Sequence, residues 1–127
     1  MLQLERKCIL VIEVAEDIRE IIRRSLENIA NWQVLSANSI SKGLALIKIQ
    51  QQQPDVILLE ANLIDSCDRS IWRELQTITS TRSIPIIFMA ARVRTVDRLQ
   101  FKQLGAAEAI SKPFKPQDLV ETIAQLF

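Results

Sequence analysis

Histidine is absent from the 127 residues, and cysteine and glycine occur only twice each. Without histidine the chain cannot supply a Ser-His-Asp triad, a Cys-His pair, a HExxH zinc site or a phosphohistidine. Cys8 and Cys67 are too far apart in sequence for a CxxC redox pair or a metal knuckle, so we expect two free thiols. These absences remove more enzyme classes than any motif in the chain adds, and we expect a protein that is not an enzyme.

Excess charge and long apolar runs are also missing. The formal net charge is +1, too close to neutral to indicate a nucleic-acid partner. The apolar run near the amino terminus, Cys8–Ile12, is far shorter than a membrane span or the core of a signal peptide. We therefore expect a cytoplasmic protein that binds neither nucleic acid nor membrane.

The residues that are present indicate one compact domain. Apolar residues make up 48% of the chain and charged residues 24%, with only four prolines. This composition is typical of a soluble globular fold and does not suit a disordered or collagen-like chain. We expect a single domain over residues 1–127 without an output domain, since the last predicted helix reaches Phe127.

Five short apolar runs alternate with segments of helical spacing. Continuous apolar runs are typical of strands covered on both faces, as in a parallel sheet. With right-handed crossovers, a βα unit repeated five times predicts a flavodoxin-like three-layer α/β sandwich, (βα)5, with sheet order 2-1-3-4-5. The predicted strands are Cys8–Ile12, Gln33–Ala37, Val56–Leu59, Ile86–Ala90 and Ala107–Ile110.

Helix signals support this alternation. Ser39 is placed to cap the second helix, and Pro116 suits the first turn of the last. The fourth helix, around Arg94–Leu104, is the least regular, and its predicted inward residues are Val96, Leu99 and Leu104. In the third helix we predict that Ile71 faces inward and that its neighbour Trp72 is partly exposed.

Open α/β sheets place their functional sites at the carboxyl ends of the strands, beside the point where the strand order reverses. Here that rule selects Glu13 and Glu60, flanked by Ala90 and Lys112. Glu60 has two possible roles from position alone: a solvated, idle acid or the partner of Lys112 in an ion pair.

The stretches CILVIEVAEDIREII, QPDVILLEANL, IPIIFMAARV, FKQLGAAEAI and SKPFKPQDL resemble the receiver (CheY-like) domains of bacterial two-component response regulators. The resemblance runs from Lys7 to Phe127, and among receivers the sequence looks most similar to those of cyanobacteria. It implies a site with two acidic residues, a phosphoacceptor Asp, a hydroxyl residue, a Lys-Pro pair and an aromatic. The acidic pair falls on Glu13 and Val14, and the phosphoacceptor position falls on Glu60. The hydroxyl position falls on Ala90, the Lys-Pro pair on Lys112 and Pro113, and the aromatic position on Ala109.

Only the Lys-Pro pair keeps the residue types of the family, and the resemblance implies a cis peptide between Lys112 and Pro113. Val14 supplies no oxygen to a metal, so we expect Mg²⁺ to bind poorly and predict no resident cofactor. Glu60 extends its carboxylate by about 1.5 Å relative to Asp, which disfavours a transfer that depends on alignment. The sequence therefore predicts a degenerate receiver, or pseudo-receiver, with no catalytic residue.

A basic stripe lies on the predicted fourth helix, where Arg94, Arg98 and Lys102 recur at intervals of four. It is either a solvated face or a partner-binding site that includes Ala109. In receivers, partners and dimer mates use the surface of the fourth helix, fifth strand and fifth helix. The resemblance thus implies a protein partner, which is a sensor kinase, a regulator or a second copy in a homodimer.

Two functions remain open from the sequence. The first is a two-component-type signalling module that acts through protein-protein interaction independent of phosphorylation. The second is a working response regulator in which a substitute aspartate accepts the phosphoryl group, with Asp55, Asp65 and Asp68 as candidates.

Overall fold

The computed structural model of the chain describes residues 6–49 and 53–127. Its centre is a parallel five-stranded sheet with the order β2-β1-β3-β4-β5, which confirms the predicted flavodoxin-like topology. The strands are β1 (Cys8–Ile12), β2 (Gln33–Ala37), β3 (Val56–Glu60), β4 (Ile86–Ala90) and β5 (Glu108–Ser111).

The apolar runs form strands because helices cover the sheet on both faces. All five residues of β1 and of β3 are buried, as are the first four of β4. Their Ile, Val and Leu side chains alternate between the two faces and supply both halves of the core. The edge strand β2 is only partly covered along its length.

Within the described residues, six helices form the two outer layers. Leu26 of α1 and Leu119 of α6 pack on one face of the sheet, whereas Leu44 of α2, Leu75 of α4 and Phe101 of α5 pack on the other. The helices are α1 (Glu16–Ala30), α2 (Ile40–Ile49), α3 (Asn62–Ser66), α4 (Arg69–Thr81), α5 (Thr95–Gln103) and α6 (Pro116–Ala124).

Helix ends follow local chemistry. The Ser39 hydroxyl accepts from the Lys42 N–H at 3.1 Å at the start of α2, and Pro116 lies in the first turn of α6, as predicted. Asn31 ends α1 in the left-handed region with φ 55°. Because this conformation suits Asn better than most residues, it fixes the turn into β2.

The short helix α3 was not predicted. It spans five residues after β3, none of them buried. So short a segment shows too little periodicity to be distinguished from a loop. As a result, the predicted third, fourth and fifth helices are α4, α5 and α6.

The predicted inward residues of α5 were wrong. Val96 and Leu99 are 50% and 60% exposed, and Leu104 is 37% exposed. Phe101 holds the helix on the sheet instead, with its ring centroid 5.1 Å from that of Phe88. Leu99 and Phe101 lie about 200° apart around a helix, so both cannot face the sheet, and the larger ring does.

The prediction for Trp72 was also wrong. Its side chain is buried and packs edge-on to Phe88, with 6.2 Å between ring centroids, whereas Ile71 is only half-buried. The buried positions of α4 are Trp72, Leu75 and Thr79. This spacing of three and four residues places the centre of the buried face one residue later than the sequence indicated.

No helix in the described ranges 6–49 and 53–127 combines the length and the apolar character needed to cross a bilayer.

Candidate functional site

The four residues selected at the strand ends share one edge of the sheet. Glu13 follows β1, Glu60 is the last residue of β3, Ala90 ends β4, and Lys112 follows β5. The register places Glu60 opposite Met89 and Ala90 opposite Ser111, so these strands end at the same level. Parallel pairing therefore brings together residues that are up to 99 positions apart in the chain.

Lys112 binds both glutamates. Its Nζ donates to Glu13 Oε1 at 2.7 Å and also forms an ion pair with Glu60 Oε2. The Glu13 and Glu60 side chains are only 2% and 6% exposed, and that of Lys112 is 19% exposed. Buried carboxylates require a cation or strong donors, and here one ammonium serves both.

The backbone directs Lys112 into the site. Its N–H donates to the Ala90 carbonyl at 2.7 Å, which continues the pairing of β5 with β4. The following peptide bond, Lys112–Pro113, is cis, as the resemblance implied. The ion pair with Glu60 is the structural role that sequence position alone had left open.

Other polar contacts use the remaining oxygens. Glu13 Oε2 accepts from the Val14 N–H at 2.8 Å, and Glu60 Oε1 accepts from the Asn62 N–H at 3.4 Å. Arg19 donates from one nitrogen to the main-chain carbonyls of Glu13 and Val14 at 2.7 and 2.9 Å. Arg19 was not among the predicted site residues, and its only signal in the sequence was its position in the helix after β1.

The two glutamates set the protonation state of Lys112. Burial alone lowers the pKa of the ammonium, but the hydrogen bonds and charges of Glu13 and Glu60 outweigh burial and hold the pKa above its ordinary value. Lys112 is therefore a permanent cation at neutral pH.

The arrangement does not fit a Mg²⁺ ion. Such an ion requires near-octahedral oxygen ligands, whereas the ammonium lies between the two carboxylates. Val14, at the next ligand position, has no side-chain oxygen and is 62% exposed. Within the described residues, no group of three or more Asp, Glu, Cys or His side chains is placed to hold a metal.

The three substitute aspartates lie in different places. Asp55 accepts from the Cys8 N–H at 2.8 Å, at the opposite, amino edge of the sheet. Asp68 caps α4 by accepting from the Ser70 N–H at 2.8 Å, and this bonding with Ser70 lowers its pKa. Asp65 is exposed and lines a groove of about 350 Å³ that also reaches Ala90.

The basic residues of the predicted fourth helix are largely paired. Arg94 lies just before α5 and binds Asp97 at 3.0 Å, and Arg98 binds Glu108 at 2.9 Å. Lys102 is exposed and pairs with no carboxylate of residues 6–49 or 53–127. Arg98, Lys102 and the buried Ala109 line a groove of about 220 Å³ between α5 and β5, which we call the α5–β5 groove.

Comparison with known proteins places this site in a family context. The model of the family described as response regulator receiver domain matches residues 9–124. The phosphate regulon transcriptional regulatory protein PhoB of Pseudomonas aeruginosa is 33% identical over 114 residues, which are 90% of this chain and 48% of PhoB. PhoB of Escherichia coli is 32% identical over 115 residues, 91% of this chain and 49% of that protein.

Solved structures share the fold. The chemotaxis response regulator CheY4 of Vibrio cholerae superimposes with a TM-score of 0.81 at 21% identity, covering 97% of this chain and 100% of CheY4. A response regulator receiver domain from Clostridium thermocellum gives 0.77 at 27% identity, covering 94% and 93%. The chain spans about half the length of the PhoB proteins that it matches.

Proposed function

The chain belongs to the response regulator receiver domain family, and from that premise we propose a two-component signalling module that works by binding proteins, without phosphorylation at Glu60. The observation that carries the proposal is the Lys112 ammonium, bound to both Glu13 and Glu60 inside the site where phosphorylation would occur. The degenerate state of the site and its resemblance to cyanobacterial receivers remain predictions.

Phosphorylation of a carboxylate requires a free oxygen in line with the donor and a divalent cation to balance developing charge. Glu60 Oε2 is held in an ion pair, and Glu60 Oε1 faces the Asn62 N–H. Ala90 has no hydroxyl with which to contact a phosphoryl group. These features support a site that is held in one state by its own lysine.

We further propose that the protein is not an enzyme, holds no resident Mg²⁺, and works in the cytoplasm without membrane or nucleic-acid binding. The near-neutral net charge of +1 supports the absence of a nucleic-acid partner.

The partner is proposed to be a protein: a sensor kinase, a regulator, or a second copy bound through α5, β5 and α6. Val96 and Leu99 support this surface, since both are at least half exposed on α5 and Leu99 lines the α5–β5 groove. Exposed apolar side chains that adjoin a groove are typical of protein interfaces. Lys102, at the rim, would favour an acidic partner.

The alternative is a working phosphoacceptor at a substitute aspartate. Asp65 is favoured over Asp68 because it is exposed and lines the groove that reaches Ala90, whereas Asp68 is engaged as a helix cap.

Intact-mass spectrometry after incubation with acetyl phosphate and Mg²⁺ tests the proposal, with a parallel Mg²⁺ titration of tryptophan fluorescence. We expect no added phosphoryl group, which weighs about 80 Da, and no saturable fluorescence change. A phosphorylated species would overturn the proposal, and peptide mapping would then locate the acceptor at Asp65, Asp68 or Glu60.

A restored variant serves as the matched control. Val14→Asp combined with Glu60→Asp returns an oxygen ligand and the shorter carboxylate, and we expect this chain to respond to Mg²⁺. If the variant responds to Mg²⁺ and the parent does not, the loss of Mg²⁺ binding in the parent is assigned to these two positions. Equal responses from both chains would contradict the proposal.

A further inference from the structure

Arg19 and Lys42 form no ion pair with a carboxylate anywhere in residues 6–49 and 53–127, in contrast to Arg23, Arg98 and Lys112. Both line a groove of about 330 Å³ at the end of the edge strand β2, between α1 and α2. We call it the β2-edge groove. Its lining residues are Arg19, Ser36, Ala37, Asn38, Lys42 and Leu46.

Arg19 is fixed before any ligand arrives. One guanidinium nitrogen donates to the Glu13 and Val14 carbonyls at 2.7 and 2.9 Å, and the side chain is half-buried. A guanidinium carries five N–H groups, so donors remain for a ligand after these two bonds. Because its position is already set, Arg19 loses little conformational freedom on binding.

Lys42 lies in the first turn of α2 and lines the groove together with Arg19. Its side chain is exposed, and its backbone N–H donates to the Ser39 hydroxyl that caps the helix. Ser36 and Asn38, both exposed, add a hydroxyl and an amide. Among the described residues no carboxylate lines the groove, so two positive charges and several donors surround it without an acid from this part of the chain.

The α5–β5 groove differs in charge. It also contains two cations, Arg98 and Lys102, but Glu108 is part of its lining and binds Arg98. An anion entering there would compete with an existing carboxylate. The β2-edge groove has no such competitor within residues 6–49 and 53–127, so of these two grooves it is the better anion site.

We propose that the β2-edge groove binds a tetrahedral oxyanion, the phosphate group of a small phosphorylated molecule, through Arg19 and Lys42. A planar carboxylate would use fewer of the donors than a phosphate, which accepts bonds on three oxygens or more. The proposal does not depend on the function proposed above, since neither Glu60 nor its phosphorylation enters it.

Such a ligand would be sensed at the degenerate site. Arg19 connects the groove to the carbonyls that follow β1, directly beside the Glu13 carboxylate bound by Lys112. A ligand bound to the remaining N–H groups of the same guanidinium would change the environment of those two bonds. The amide signal of Val14 should therefore shift together with those of the groove.

The test is an NMR titration of the full chain with inorganic phosphate at constant ionic strength, and with acetate in parallel. We expect saturable shifts at Ser36, Asn38 and Lys42 with phosphate, and weaker, non-saturating shifts with acetate. Equal responses to both anions would overturn the proposal, because they would show general charge screening. Absence of any saturable phosphate response would overturn it as well.

Paired variants locate the binding. Lys42→Gln should weaken phosphate binding about fivefold or more, because one of the two positive charges that line the groove is lost. Lys102→Gln removes an equally exposed lysine from the other groove and should leave the affinity within about twofold. Both side chains are exposed, so both variants should fold. The reverse order of effects would place the anion in the α5–β5 groove and refute the proposal.

Discussion

Lys112→Met removes the ammonium that two buried carboxylates share while keeping a side chain of similar length. Glu13 and Glu60 would then face each other in a site where their side chains are 2% and 6% exposed, with no cation between them. The remaining donors are the N–H groups of Val14 and Asn62. These do not balance two negative charges.

The expected loss follows from these contacts. Coulomb attraction at the observed 2.7 Å is about 6 kcal/mol for an effective dielectric constant of 20, and desolvation of the ions offsets much of it. Removing one partner of a buried pair costs about 3–5 kcal/mol. Because Lys112 keeps 19% of its side chain exposed, we expect about 3 kcal/mol, the low end of that range.

The loss should depend on pH in a defined direction. The pKa of Lys112 is raised in the folded protein, so its contribution is complete below the ordinary value of 10.5 and disappears as pH rises through the folded pKa. The stability difference between parent and Lys112→Met should therefore be constant from neutral pH to about pH 10 and shrink above it.

Equilibrium urea unfolding followed by tryptophan fluorescence measures the difference. Lys102→Met is the control, since Lys102 is exposed and unpaired within the described residues, and it should change stability by less than about 0.5 kcal/mol. Adding Glu60→Gln to Lys112→Met should recover part of the loss by removing one of the two facing charges. A loss below about 1 kcal/mol, or no recovery, would refute the assignment of Lys112 as the shared counter-ion.

Three further predictions concern the fold, and each is measured by urea unfolding. Asp68→Ala removes the side-chain cap of α4 and should cost about 1 kcal/mol, whereas Asp68→Ser should retain most of it. Gly43→Ala places a Cβ 2.5 Å from the Ile12 Cδ1 and should cost about 1–3 kcal/mol, with partial recovery when combined with Ile12→Val. Phe101→Ala should cost about 2 kcal/mol and the exposed Leu99→Ala nearly nothing, and equal effects would contradict the observed orientation of α5.

Much of the fold was predictable because its signals are local. The bounds of β1, β2 and β4 agree with the continuous or near-continuous apolar runs, and β3 and β5 differ by one residue at their ends. The orientation of α5 was not predictable from the spacing of its apolar residues, because Val96 and Leu99 have the apolar character of a buried helix face although both are exposed. Only competition with the Phe101 ring for space beside Phe88 decided which side faces the sheet.

The residues of the candidate site were predictable for a different reason. A parallel sheet collects the residues that follow its strands at one edge, so strand order alone grouped Glu13, Glu60 and Lys112. Their bonding was not predictable, since a solvated Glu60 was equally consistent with its position. The role of Arg19 was not predictable because its partners are main-chain carbonyls. Since every residue has one, the residue types in the sequence give no signal of such a contact.

The sequence by itself determined the alternation of strands and helices, the sheet order, and the residue types present at the strand ends, because apolar periodicity and capping act between neighbours in the chain. The tertiary structure alone decided that one ammonium serves two carboxylates, and that Arg19 and Lys42 line a common groove to which no acid of the described residues contributes. Ion pairing depends on distances of a few ångströms between residues far apart in sequence, and those distances exist only once the sheet and its helices have packed.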